Sequence, residues 1–352
     1  MRSHLRTAVV LLVAAGLLAL FLRHVDLARV GHAIAGAEPL WLAAGLAFAI
    51  VNLAIRSYRW QYLLEPLGHT TFGESFRATA VGFAASTVLP ARAGEVIRPY
   101  FVSRLASRNE RMTATGAFAT IILERILDVM TVLVLVASYV LLFGRATKAT
   151  NPTAFAWLSW IALTAAAVAL TAFVVLYVLS RDPQRLGTAT GRLARIVPSL
   201  TGRVARLVEN FAHGLAIARR PGRLLVALLW SFPLWLSIAA GLWTVARAFR
   251  LGIPFAGSFV LVGLLALGVA VPTPGAVGGF HAMFRYGATT FFGAPDAAAV
   301  GAAIVAHLFS VGPTLLLGLF FASQAGMNMA QLSSLNSHVA TLSSRVADRT
   351  DP

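Results

Sequence analysis

Long apolar stretches alternate with short arginine-rich ones along this chain. About 20 consecutive apolar residues, wound as a helix, match the hydrocarbon thickness of a bilayer. Six stretches reach or approach that length: residues 7–22, 40–55, 113–143, 155–179, 224–246 and 297–322. The first reads as a retained span or as the apolar region of a signal peptide; no small-x-small cleavage site precedes Arg23, which favours a span. Two further runs, 76–89 and 259–271, are too short to cross comfortably, and both run into proline and glycine. Runs of this kind predict re-entrant segments or core helices rather than spans.

Composition narrows the class. The 352 residues are 58% hydrophobic and 12% charged, with a mean hydropathy of +0.77. Soluble domains hold about 45–50% apolar residues, so the composition argues against a soluble fold. The apolar runs are continuous rather than alternating, which favours helices over a transmembrane barrel. The expected fold is all-α and polytopic, with a membrane domain over residues 1–323 and a polar tail over 324–352.

The formal charge of +16 comes almost wholly from arginine, Lys148 being the single lysine. In a membrane protein such an excess marks cytoplasmic segments before it marks nucleic acid. The connection 181–223, with nine arginines against Asp182 and Glu209, is placed in the cytoplasm, as is the N-terminus with Arg2 and Arg6. Counting spans from there leaves Arg56 and Arg59 on the same side as a basic flank and brings the C-terminus inside. Segment 76–111 then starts and ends inside, whereas 259–293 starts and ends outside. Within the basic connection, Leu200, Val204, Leu207, Val208, Phe211 and Leu215 recur at helical spacing. They predict a helix lying on anionic inner-leaflet lipid or packed on the protein. In the tail, Leu332, Leu335, Leu342 and Val346 hold a heptad-like spacing for about two heptads, short of a coiled coil; a homo-oligomer is left open. The chain has no cysteine, and so neither disulfides nor a thiolate metal site.

The two short runs belong to a repeat. Phe72-Gly-Glu-Ser-Phe76 resembles Phe255-Ala-Gly-Ser-Phe259, and the runs that follow end in LPARAGE and VPTPGAVGG. A full span precedes each element and another follows, giving units of about 40–143 and 224–322. The charge walk enters them from opposite sides, so they are inverted. Inverted repeats with Gly/Pro-broken segments at matching positions are a pattern of secondary transporters.

Charges at membrane depth mark the candidate site. In ERILD, Glu124 and Asp128 share a helix face and Arg125 reaches Asp128 at i+3. A charge at the centre of a span costs about 2.5–3.5 kcal/mol on insertion scales, so these groups should face inward with partners. Arg92, Glu95 and Arg98 of LPARAGEVIRPY are the expected partners, because that limb leads into the same span. In the second unit, Gly275, Gly278 and Gly279 allow a tight turn, and His281, Arg285 and His307 follow. No cofactor or metal is expected, since two distant histidines do not make a ligand set. No nucleotide-binding or hydrolase motif stands out: PGAVGG has neither a following lysine nor a strand before it.

Taken in order, NLAIRSYRW, LPARAGEVIRPY, ERILD and PTPGAVGGF resemble the lysylphosphatidylglycerol synthase transmembrane-region family, the flippase-like proteins, over roughly residues 40–320. The resemblance implies a bacterial or archaeal inner-membrane protein that handles lipid head groups, such as aminoacylated phosphatidylglycerol. No synthase domain follows the last span, so aminoacyl transfer is not expected. Ser86 stands where the family often has Asn, His281 where it often has Glu, and His307 where its last span often has Arg. A joint change of a Glu/Arg pair predicts that His281 and His307 lie close together.

The expected function is transport of a phospholipid or a polyprenyl-phosphate-linked glycan between leaflets. Arg92, Arg98 and Arg285 would hold phosphate, Glu95, Glu124 and Asp128 would position them or take a proton, and Gly275 to Gly279 would let the second limb rock. Two rivals are a lipid-modifying transferase, for which Glu124 is the deep candidate base, and a non-transporting assembly protein.

Overall fold

The computed structural model describes residues 16, 26–89, 93–106, 112–143, 151–181, 221–270 and 273–325. Among them are ten α-helices and no strand. They are α1 (Leu27–Ala35), α2 (Pro39–Leu64), α3 (Phe72–Val88), α4 (Gly94–Leu105), α5 (Ala114–Leu142), α6 (Pro152–Arg181), α7 (Pro221–Ala248), α8 (Gly257–Ala270), α9 (Gly279–Phe292) and α10 (Asp296–Gln324). Four helical segments, Pro39–Leu67, Ala114–Leu142, Gly222–Ala248 and Asp296–Gln324, are long and apolar enough to cross a membrane. The apolar run 155–179 falls within the 30-residue α6. Span 7–22 apart from Gly16, the loop-helix positions 200–215 and the tail from 326 lie outside the described residues, as does Arg92.

Local chemistry sets several boundaries. Asp26 caps α1 by accepting from the backbone N–H groups of Ala28 and Arg29. Pro39 stands at the first position of α2, where its missing N–H costs nothing. Thr71 and Glu74 form a reciprocal capping box that starts α3. The Thr113 hydroxyl accepts from Gly116 N–H at the start of α5, and Gly293, in the left-handed region at φ 64°, ends α9.

The frame of the molecule is the packing of α2 on α7. Along α2, Glu38 pairs with Arg250, Trp41 packs edge-on to Trp243, Asn52 donates to the Leu234 carbonyl, Tyr58 lies by Trp230, and Glu65 pairs with Arg223. Partners descend along α7 as they ascend along α2, so the two helices run antiparallel over their whole length. Gly45 and Gly241 keep this seam close: a Cβ on Gly45 would stand 3.1 Å from the Thr244 hydroxyl and one on Gly241 3.5 Å from Phe48 Cβ.

Each of these helices leads into a helical hairpin and then a long helix: α3–α4 then α5 in the first unit, α8–α9 then α10 in the second. The arms of the second hairpin are 14 residues each, about 21 Å at 1.5 Å per residue, against about 30 Å of hydrocarbon. Both hairpins are pinched at a pair of glycines. A Cβ on Gly94 would overlap the Gly82 carbonyl oxygen, and one on Gly279 would overlap that of Gly268. The tip of the second hairpin, with Gly275 at φ 57° and Gly278 at φ 88°, lies against Thr87 at the end of α3. The second hairpin's tip thus meets the C-terminal end of α3.

The units also interlock. The first hairpin packs through Ala80 and Ala84 on Gly318 of α10, which belongs to the second unit. The second hairpin packs through Gly263 on Val136 of α5, which belongs to the first.

Candidate functional site

Three helices supply the charges at the centre. Glu124 and Asp128 project from one face of α5, as their i, i+4 spacing predicts, and both are buried. Arg59 of α2 is fully buried between them: Nη1 donates to Asp128 Oδ1 at 2.7 Å and to the Ser231 hydroxyl at 2.6 Å, while Nη2 lies 3.1 Å from Glu124 Oε1. Arg98 of α4 donates through Nη1 to Glu124 Oε2 at 3.0 Å. Its guanidinium lies 3.8 Å from the centre of the Trp60 ring, a cation–π contact. Trp60 is fixed in turn by donating to the Thr120 hydroxyl at 3.0 Å. The Trp235 indole N–H donates to Asp128 Oδ1 at 2.9 Å.

The outer layer is looser. Arg56 Nη1 stands 3.5 Å from Glu124 Oε1 and 3.9 Å from Asp128 Oδ2, with its guanidinium 5.2 Å from the Phe83 ring centre. Arg125, with a side chain 40% exposed, lies 3.6 Å from both Glu95 Oε1 and Asp128 Oδ2. The expected pairings of Glu95 and Arg98 with ERILD are therefore present, as is the Arg125 to Asp128 contact.

Reading Arg56 and Arg59 as a cytoplasmic basic flank does not hold. Helix α2 continues nine residues beyond Ile55, to Leu64, and both arginines are buried against α5. The reason is that α5 and α7 bring acceptors to them, so the helix has no need to end where the charges begin. The motif NLAIRSYRW carried the signal, since Arg56 and Arg59 at i, i+3 share a face. Ser231 and Trp235, at i, i+4 in an apolar helix, were missed altogether.

Beside this network lies a cavity of about 620 Å³. Arg56, Arg125, Asp128, Asn52 and Trp235 form its polar lining, and Phe48, Leu133, Val136, Ile238 and Phe309 are among the apolar residues that form the rest. Arg59, Arg98 and Glu124 do not line it; they hold the residues that do.

The second unit's residues form a separate cluster. The His281 and His307 rings stand 4.6 Å apart, as the joint substitution predicts, and His307 Nε2 is 2.7 Å from the Gly275 carbonyl oxygen. His307 of α10 thereby ties down the hairpin tip. Arg285 makes a bidentate pair with Asp296 at 2.6 and 2.8 Å at the partly exposed start of α10, away from the first cluster. A short bifunctional thiol crosslinker is expected to join His281→Cys to His307→Cys in most of the purified protein; crosslinking no greater than for His281→Cys with Gly73→Cys would contradict the packing of α9 on α10.

The family model for the lysylphosphatidylglycerol synthase TM region matches residues 7–318. The chain belongs to this family. It is a multi-pass helical membrane protein, and the match takes in both hairpins, the ionic network and all the helices lining the cavity. No curated protein matches the chain.

Proposed function

We propose that this family member is a flippase-like lipid transporter, moving a phospholipid or a polyprenyl-phosphate-linked glycan between leaflets. The observation that carries the proposal is the two-sided chemistry of the cavity: hydrocarbon walls along most of its length and guanidinium and carboxylate groups at one part of it. Its volume lies within the roughly 300–1,000 Å³ of small-molecule sites, enough for part of a lipid.

The rest of the fold fits that task. Antiparallel α2 and α7 begin two units with the same order of elements, and the tip of the second hairpin meets the end of α3 in the first, in keeping with transporters whose site lies between inverted repeats. Irregular backbone at membrane depth is tolerated where protein or a wet cavity covers it, and here Thr87 of α3 and His307 of α10 pack on the second hairpin's tip. In this reading the hairpins are re-entrant, and rocking about the α2–α7 seam alternates the side on which the head group meets water. Glu124, the base a transferase would require, is engaged by Arg59 and Arg98 and does not face the cavity.

Val129 lines the cavity but has a 45% exposed side chain and no part in the ion pairs, so a larger residue there fills space without unpairing a charge. In proteoliposomes, Val129→Trp is expected to slow lipid translocation by about tenfold or more while leaving the yield of folded protein unchanged. Unaltered translocation would remove the cavity from the transport path.

A further inference from the structure

We infer that His281 and His307 form a proton-operated latch, which holds the tip of the second hairpin on α10 while both rings are neutral and releases it when both are charged. The inference concerns how the hairpin is held and not what occupies the cavity, so it stands apart from the transport reading. His307 comes from α10 and His281 from the first turn of α9, and their ring centres are 4.6 Å apart. Phe280 completes the cluster, its ring centre 5.2 Å from that of His307 and 6.0 Å from that of His281. Both Phe280 and His281 are buried. The bond to the tip is the 2.7 Å contact of His307 Nε2 with the Gly275 carbonyl oxygen. A carbonyl only accepts, so Nε2 bears a hydrogen in either charge state, and a proton taken up by neutral His307 goes to Nδ1.

The tip needs holding. Gly275, Ala276 and Gly278 all have positive φ, at 57°, 58° and 88°, and Ala276 thereby adopts a conformation that its Cβ disfavours. Such a turn keeps its shape only while its surroundings impose it. Two imidazoliums side by side in apolar surroundings repel each other and lack hydration, so charging the pair drives α9 from α10 and lets the turn relax. The closed hairpin is therefore favoured at the alkaline end and weakens as pH falls. Phe280 and Ala306 line the cavity, so the movement reaches its wall. The other ionisable groups do not supply this response. The tip and α8 carry none, and Arg285 of α9 and Asp296 of α10 are bonded to each other. Tyr286 lies on α9, Glu74 and Arg77 at the far end of α3, Tyr177 and Arg181 at that of α6, and Arg29 and His32 on exposed α1. Arg56, Arg125 and Asp128 line the same cavity and pair among themselves. Arginine and tyrosine keep one charge state across the range in which imidazole titrates, which holds equally for Arg92, outside the described residues.

The test is hydrogen exchange of the full chain in detergent, read by mass spectrometry at about pH 8 and about pH 5, on either side of the imidazole range, and corrected for the intrinsic rate. As the pH falls, exchange over residues 273–284 is expected to rise about tenfold more than that of α2, the scale of a one-unit shift between like charges. His307→Gln keeps an amide donor for the Gly275 carbonyl but does not titrate, and His281→Gln removes the other charge. Because release needs both charges, either single variant should hold the rise to within about twofold, and the double variant should do no more. His281→Phe, which keeps a ring beside Phe280, takes the place of His281→Gln if that variant folds poorly. No rise in the unaltered chain, or one shared equally by α2, would overturn the latch. Single variants that each keep half of the rise would overturn it too, since two independent histidines would then account for the response.

Discussion

Glu124→Ala is expected to cost the fold about 3–5 kcal/mol, the range for removing one partner from a buried ion pair. Glu124 is fully buried and is the carboxylate shared by Arg59, Arg98 and Arg56. Its loss leaves Arg98 between an indole ring and an apolar wall with no counter-charge, and leaves Arg59 dependent on Asp128 alone. Thermal unfolding in detergent, followed by tryptophan fluorescence, should show a large drop in midpoint or too little folded protein to measure. The double variant Arg98→Leu with Glu124→Leu separates the two origins of the effect. If the cost lies in the orphaned charge, the double change should be milder than Glu124→Ala, a coupling that independent sites would not show. A double variant as unstable as the sum of its parts would instead assign the loss to packing.

A second large effect is expected where the hairpins are pinched. Replacing a helical glycine by alanine ordinarily stabilises by up to about 1 kcal/mol. At Gly94 and Gly279 the sign should reverse, because the added methyl would overlap a backbone carbonyl of the facing arm, and backbone cannot rotate aside as a side chain can. Forcing the arms apart breaks packing in both, so Gly94→Ala and Gly279→Ala are each expected to lose most of the folded yield, a cost of about 3 kcal/mol or more. Gly73→Ala is the control, since a methyl there meets nothing within 4 Å. Equal yields for all three variants would show that the hairpins are not closed through these glycines.

Some of this could be read along the chain and some could not, for physical reasons. The charges of ERILD and LPARAGEVIRPY stand out because apolar surroundings make an unpaired charge costly, so each implies a partner nearby. Glu95 and Arg98 proved to be such partners. Arg56 and Arg59 were misplaced because a charge at the end of an apolar run has the same appearance whether water or a buried carboxylate receives it. Helix and hairpin positions followed from the length of each run, which backbone hydrogen bonding in lipid translates directly into structure. The cavity was not legible, since Asn52, Asp128, Trp235 and Phe309 come from four separate helices and only packing brings them together. Nor was the close approach of Gly82 to Gly94, because a glycine shows what it permits and not what it touches.

The exchange of hairpins between the units sets an order on how the protein can be made. The face of α3 that carries Ala80 and Ala84 is completed by Gly318 of α10, which is among the last parts of the membrane domain to leave the ribosome. At about 5–20 residues per second, synthesis of the chain between Ala84 and Gly318 takes on the order of ten seconds or more. Throughout that interval the face of α3 that carries Ala80 and Ala84 lacks its α10 partner, and lipid or the insertion machinery has to cover it. Closure of that face therefore waits on the arrival of α10.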